Sequence, residues 1–96
     1  MDNDKLQLLY RAVLSLETIE ECQNFFEDLC TDTELSALSQ RINVAKMLID
    51  KRIYSDIVKE TGASTATISR VNRSLRKGAN GYPILFERID KENGSI

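Results

Sequence analysis

The side chains of this 96-residue sequence that could do chemistry are concentrated in residues 54–77. Two short segments with apolar residues at helical spacing flank Gly62, and the second segment is rich in hydroxyl and basic side chains. Two short helices joined by a tight glycine turn form a helix-turn-helix, whose second helix enters the major groove of DNA. We therefore predict a first helix from about 54 to 61, a turn at Gly62 with positive φ, and a second helix that is capped by Ser64 or Thr65 and ends at Lys77.

One face of the second predicted helix is expected to pack on the first, and the opposite face is expected to contact DNA. The apolar positions that should join the two helices are Ile57, Val58, Ala63, Ile68, Val71 and Leu75. The residues expected to contact DNA are Thr65, Ala66, Thr67, Ser69, Arg70, Arg73, Arg76 and Lys77. The first of these have short side chains, so the helix can approach base edges, whereas Arg76 and Lys77 at its end are placed for phosphates.

The net charge of −2 conceals a strong asymmetry along the chain. Residues 1–39 carry two basic and nine acidic side chains, a net of −7, whereas residues 40–77 carry nine basic and three acidic side chains, a net of +6. No acidic residue occurs between Thr61 and Leu85. Because surface helices normally mix both signs, this segregation favours a nucleic-acid partner over an ordinary helical hairpin.

The sequence lacks the residue types on which most enzymes depend. It contains no histidine, the commonest general acid or base and the commonest metal ligand. It also has no Gly-rich phosphate loop, no nucleophile-elbow motif and no metal-ligand spacing. We therefore expect a protein that is not an enzyme and binds no metal.

Composition also constrains the compartment. No apolar run approaches the roughly 20 residues of a membrane span, and the acidic, polar N-terminus does not resemble a secretory signal. Cys22 and Cys30 do not form a CxxC pair and lie on an apolar stripe, so we expect buried free thiols of a reducing compartment. The expectation is a cytoplasmic protein with no membrane partner.

The rest of the chain is predicted to be helical, which gives an all-α fold class. One helix precedes residue 18, a second follows the capping box of Thr18 and Glu21, and a third follows that of Thr31 and Glu34. A last helix is expected over 82–90 with Pro83 as its first residue. We predict a single domain, 1–96, with dimerisation helices in 1–50, and a homodimer because the apolar stripes are too wide for so small a core.

From Thr31 to Lys77 the sequence resembles the Trp repressor family, and within it the YerC/YecD group. The residues that carry the resemblance are Thr31, Glu34, Ala37, Leu38, Arg41, Thr61, Gly62, Ala63, Ala66, Thr67, Ile68, Ser69, Arg70, Ser74 and Leu75. The resemblance implies a six-helix, Trp-repressor-like bundle in an intertwined homodimer, where each subunit completes the core of the other.

The resemblance also implies a possible ligand pocket. In the repressor, tryptophan is a corepressor held between the helix-turn-helix and the third helix. Arg41 and Arg70 resemble the arginines that flank the indole, and Thr31 and Ser74 resemble hydroxyl positions near its polar end. The sequence departs at Val71, where the repressor has glycine and where a branched side chain would fill the same space. We therefore expect no cofactor, with a tryptophan corepressor as the less favoured alternative.

These observations predict a homodimeric, sequence-specific transcription regulator, expected to be a repressor, that binds double-stranded DNA. Two alternatives stay open. The helix-turn-helix could serve as a protein-docking module, or the protein could sense a small ligand other than tryptophan.

Overall fold

The structure, a computed structural model, describes residues 3–92. Its six helices are α1 (Asn3–Leu14), α2 (Ile19–Leu29), α3 (Asp32–Ile49), α4 (Tyr54–Thr61), α5 (Thr65–Lys77) and α6 (Gly81–Glu92). No β-strand occurs within residues 3–92. The all-α fold with six helices is confirmed.

The chain forms two compact units, divided between Leu35 and Ser36. The second unit holds all the buried apolar residues of the described chain, namely Val44, Ala45, Ile57, Ala63, Ile68, Val71 and Phe86. They come from α3, α4, the turn after α4, α5 and α6, so a single core joins these four helices. Burial of an aliphatic side chain contributes about 1.5–3 kcal/mol, which makes this core the main source of stability in the unit.

One of the positions predicted to join α4 and α5 is wrong. Val58 is 37% exposed, whereas its neighbour Ile57 is completely buried. Consecutive residues of a helix point about 100° apart, and in α4 it is Ile57 that is turned to the core. Ala63, Ile68 and Val71 are buried as predicted, and Leu75 is half-buried against them.

The first unit contains no buried residue in either of its complete helices, α1 and α2. Leu14 and Ile19 are 84% and 80% exposed, and the rings of Phe25 and Phe26 meet edge to face at 5.3 Å. Cys22 and Cys30 are free thiols, but they are half-buried rather than buried as predicted; Cys22 lies in α2, which buries none of its residues, and Cys30 follows the end of that helix.

Both predicted capping residues begin helices. The Thr31 hydroxyl accepts the backbone N–H of Glu34 at 3.1 Å, and the Glu34 carboxylate accepts the N–H of Thr31 at 2.9 Å. Hydrogen bonding of the Glu34 carboxylate by Thr31, through the backbone N–H foremost and the side chain second, lowers the pKa of Glu34. Thr18 caps α2 in the same way, but Glu21 accepts from the N–H of Glu17, one residue before the cap.

Gly78 and Asn80 shape the loop between α5 and α6, and the start of α6 differs from the prediction. Gly78 ends α5 in an extended conformation (φ −87°, ψ −158°), and the left-handed residue of this loop is Asn80 with φ 68°. Glycine is still required at 78, because a Cβ there would collide with the carbonyl oxygen of Ser74. The last helix begins at Gly81 and ends at Glu92, so Pro83 is its third residue rather than its first.

Candidate nucleic-acid interface

The turn between α4 and α5 is fixed by its backbone and by one threonine. Gly62 has φ 72°, a left-handed conformation that is strained for any residue with a Cβ, and its N–H bonds to the Val58 carbonyl at 2.9 Å. The Thr61 hydroxyl donates to the Ile57 carbonyl at 2.6 Å and accepts the N–H of Ala63 at 3.1 Å. The predicted glycine turn at 62 is therefore confirmed.

Two polar contacts attach α4 to its surroundings. The Gln40 amide of α3 donates to the carbonyl of Thr61 at 3.2 Å, which holds the end of α4. Arg52, just before α4, reaches Glu60 at 2.7 Å and Asp56 at 3.7 Å. The hydrogen bond to Glu60 foremost, with its charge, raises the pKa of Arg52. The Gln40 hydrogen bond thus ties α4 to α3, and the Arg52 ion pairs tie α4 to the segment that precedes it.

Helix α5 begins at a serine cap. The Ser64 hydroxyl accepts the N–H of Thr67 at 3.1 Å and donates to the Thr67 hydroxyl at the same distance. Of the two caps considered from the sequence, Ser64 is the one that the structure uses. Thr67 is half-buried, so it is less accessible to a ligand than the exposed residues beside it on α5.

The structure places the other predicted DNA-contacting residues on the exposed surface of α5. They are Thr65, Ala66, Ser69, Arg70, Arg73, Arg76 and Lys77. The first three have short side chains and the last four are cationic. The start of the helix therefore exposes a surface close to its backbone, and the rest of the helix exposes positive charge.

Several cations elsewhere in the second unit form ion pairs, whereas Arg41, Lys51, Lys59 and Arg88, like those of α5, form none with an acidic residue of the range 3–92. Lys46 pairs with Asp50 at 3.1 Å, Arg52 pairs with Glu60, and Lys91 pairs with Glu87 at 3.2 Å. None of the four α5 cations forms an ion pair with an acidic residue within the described range 3–92. Their charge is therefore not neutralised within this part of the protein.

The residues of the possible ligand pocket are distributed over both units. Arg41, Arg70 and Ser74 are exposed side chains of the second unit. Thr31 lies in the first unit, where its hydroxyl caps α3. Val71 is only 3% exposed and belongs to the core, so its predicted packing role is confirmed, whereas the pocket stays a prediction.

Two residues to which the sequence assigned no role lie beside the predicted DNA contacts. The side-chain amide of Asn72 donates to the phenol oxygen of Tyr54 at 3.3 Å, which links α5 to the first residue of α4. Asn72 could have been found, because it adjoins Arg73 and follows Ser69 by three positions on a helix. No sequence signal pointed to Tyr54, 18 positions away.

Over residues 3–92, no helix has the length and hydropathy needed to cross a membrane. The same range contains no cluster of three or more Cys, Asp or Glu side chains that could hold a metal ion.

An all-helical fold with an exposed basic helix is typical of helical DNA-binding regulators. The profile of the family described as Trp repressor protein matches residues 4–90. The chain therefore belongs to the Trp repressor family.

Relatives and solved structures agree with this assignment. The chain is 48% identical over 85 residues to the uncharacterized protein YerC of Bacillus subtilis strain 168, which covers 88% of this chain and 82% of that protein. A TrpR-like protein from Eubacterium eligens superimposes with a TM-score of 0.87 and 53% identity, over 92% of this chain and 91% of the other. A candidate Trp repressor from Staphylococcus aureus superimposes with a TM-score of 0.88 and 48% identity, over 93% of this chain and 89% of the other.

Proposed function

We propose that this protein is a sequence-specific transcription regulator, a repressor, that binds double-stranded DNA as a homodimer and places α5 in the major groove. The observation that carries the proposal is the exposed face of α5, where short side chains are followed by four cations that form no ion pair within residues 3–92. Membership of the Trp repressor family supports it.

Sequence recognition is assigned to the first turns of α5. Thr65, Ala66 and Ser69 are exposed and short, so the helix backbone can come close to base edges. Hydroxyl groups bond to either donors or acceptors of bases, and the methyl groups of Thr and Ala pack on the thymine methyl. Thr67 lies half-buried beside these residues, and its hydroxyl, which accepts from that of Ser64, can still donate to a base.

Phosphate contacts are assigned to the end of the same helix. Arg76 and Lys77 lie exposed in the last turn of α5 and form no ion pair with another described residue of the chain. Such contacts fix the position and orientation of a protein on the duplex without selecting bases. They also make the affinity depend on salt, because each neutralised phosphate releases condensed counterions.

A second copy of the chain is proposed to cover the apolar surface of the first unit. Helices α1 and α2 bury none of their residues, although they carry Leu8, Leu14, Ile19 and Leu29 at exposures above half. A two-fold dimer would place two copies of α5 about 34–36 Å apart, one turn of DNA, on a symmetric site.

The direct test is selection of bound duplexes from a random pool, followed by affinity measurements at several salt concentrations. We expect one preferred, two-fold symmetric sequence. We also expect affinity to fall steeply with salt: the logarithm of the binding constant should drop by about 0.9 per tenfold rise in salt for each neutralised phosphate. Ser69→Leu should change the preferred sequence, whereas Lys77→Ala should weaken all sequences alike. Lys91→Ala, which removes a paired cation of α6, is the control. Binding without sequence preference or salt dependence would contradict the proposal.

No small-molecule corepressor is proposed to be needed. Val71 fills core space between α5 and its neighbours, where a branched side chain limits room for an indole. We expect millimolar tryptophan to change the DNA affinity less than about twofold, a coupling of ~0.4 kcal/mol. A clear tightening by tryptophan at fixed salt would show that Arg41, Arg70 and Ser74 form a working site despite Val71.

A further inference from the structure

A concave site lies where the start of α4 meets the outer face of α5. It has a volume of about 450 Å³ and is lined by Tyr54, Ser69, Asn72, Arg73, Arg76 and Lys77. Two of these residues, Tyr54 and Asn72, were not among the predicted DNA contacts. The site therefore extends the interface from one helix to two.

The lining of this site carries positive charge and includes no acidic side chain to balance it. Three of the six side chains are cations, none is a carboxylate, and none of the three cations forms an ion pair within the described part of the chain. The remaining three side chains supply hydroxyl and amide groups. Cations combined with neutral hydrogen-bond donors suit an oxyanion such as a phosphodiester.

The direction of one hydrogen bond leaves a donor unused. Asn72 donates its amide N–H to the phenol oxygen of Tyr54, so Tyr54 acts as the acceptor in this bond. A phenol also carries one O–H, and that proton stays available for another acceptor. Since Tyr54 is 37% exposed, its hydroxyl is accessible to a ligand in the site.

We propose that this site binds one backbone phosphate of the DNA duplex, with the Tyr54 hydroxyl as a direct donor and Asn72 as the residue that positions it. The inference rests on the proposed DNA-binding function. It adds a neutral phosphate contact on α4, the helix that precedes the recognition helix, and thereby fixes the angle at which α5 meets the groove.

Tyr54→Phe is the first test, because it removes the hydroxyl and keeps the ring. We expect DNA affinity to fall three- to tenfold for preferred and unrelated sequences alike, with the salt slope unchanged because no charge is lost. Arg73→Gln should weaken binding and also reduce the slope by about 0.9. Tyr82→Phe is the matched control, since that tyrosine stacks on Phe86 in α6 and does not line the site.

The positioning role of Asn72 is tested by a double-mutant cycle on DNA affinity. Asn72→Ala should lose about as much affinity as Tyr54→Phe, and the double variant should lose no more than either single variant, because both changes remove one contact. Thermal unfolding of each variant checks that folding is retained. Losses that simply add would overturn the positioning role.

Three outcomes separate the two proposals. If the wild-type protein shows no salt-dependent DNA binding, the proposed function is wrong and this site falls with it. If the wild type binds but Tyr54→Phe matches Tyr82→Phe, only the phosphate site is wrong. A changed sequence preference in Tyr54→Phe would mean that Tyr54 contacts a base, which also overturns the phosphate assignment.

Discussion

At the scale of single residues, the backbone conformation of Lys51 is the clearest departure from what its residue type favours. Lys51 has φ 64°, and it follows α3 where its N–H bonds to Leu48 and that of Arg52 bonds to Met47. Glycine is the usual residue at such a helix end, since a Cβ is unfavourable in the left-handed region.

Lys51→Gly is therefore expected to stabilise the protein by about 0.5–1 kcal/mol, measured by denaturant unfolding. Glycine removes the strain of the left-handed conformation in the folded protein, and this gain in free energy exceeds the cost of the extra conformational entropy that glycine gives to the unfolded chain. Lys59→Gly, within α4, is the control and should cost about 1 kcal/mol. A loss of stability in Lys51→Gly comparable to that control would show that the conformation carries no strain.

Substitution of Val71 tests whether this residue belongs to the core. Val71→Ala should lower the free energy of unfolding by about 1–3 kcal/mol, because it removes two methyl groups from a site that is 3% exposed. Val58→Ala makes the same chemical change at a side chain that is 37% exposed and should cost less than about 1 kcal/mol. Equal losses would contradict the assignment of Val71 to the core.

Sequence patterns predicted single residues well where local geometry decides. Gly62 was predicted because a tight turn needs positive φ, and a cap at Ser64 or Thr65 because a hydroxyl caps a helix; the structure uses Ser64. The conformations of Gly78 and Asn80 were not predicted, because they depend on how the loop leads into α6 rather than on their own residue types.

At the scale of elements, the capping box of α3 makes stability depend on pH. The pKa of Glu34 lies below its ordinary value of 4.5 in the folded protein, through its hydrogen bonds with Thr31. A lowered folded pKa means that the stabilisation is complete above the unfolded value and is lost as pH falls through the folded one.

Glu34→Gln is expected to be less stable than the wild type at pH 7 and equally stable once Glu34 is protonated, in the acid range below 4.5. Glutamine still reaches the Thr31 N–H but carries no charge. Unfolding measured from pH 7 to pH 3 gives the comparison, with Glu27→Gln as an exposed control. A difference that persists unchanged at pH 3 would mean that the charge of Glu34 is not responsible.

Helices were more predictable than their packing. Capping boxes and helical spacing located α2, α3, α4 and α5, because these signals act within a few residues. The start of α6 was placed too late, since Pro83 was expected at the first helical position and lies at the third. Which of Ile57 and Val58 faces the core depends on contacts with other helices, and the pattern of α4 alone did not decide it.

At the scale of the whole molecule, the proposed homodimer is the feature that most affects stability. We expect sedimentation to give a dimer at micromolar concentration and the midpoint of thermal unfolding to rise with protein concentration, because association stabilises the folded state by mass action. A folded monomer whose midpoint is independent of concentration would contradict the homodimer.

Leu14 provides a mutational test of the same dimer. Its side chain is 84% exposed in the single chain, so Leu14→Asp should weaken association if a second copy covers it. Ser15→Asp introduces the same charge at the next exposed position and is the control. Unchanged sedimentation of Leu14→Asp would place the partner surface elsewhere.

The sequence indicated the charge asymmetry of the molecule but not the exposure of its apolar stripes. The basic segment 40–77 was evident from composition, and α5 has its cations unpaired. The stripes of α1 and α2 predicted a core, yet neither helix buries a residue in the single chain. Periodicity identifies an apolar face but cannot say which surface covers it.

The hydrogen bonds around Thr61 have a consequence for the thermodynamics of binding. Its hydroxyl engages Ile57 and Ala63, and its carbonyl is held by Gln40. The amide hydrogen of Ala63 should therefore exchange slowly with solvent already in the absence of DNA. A turn ordered in advance loses little conformational entropy when the complex forms, so more of the interaction energy of α5 appears as affinity.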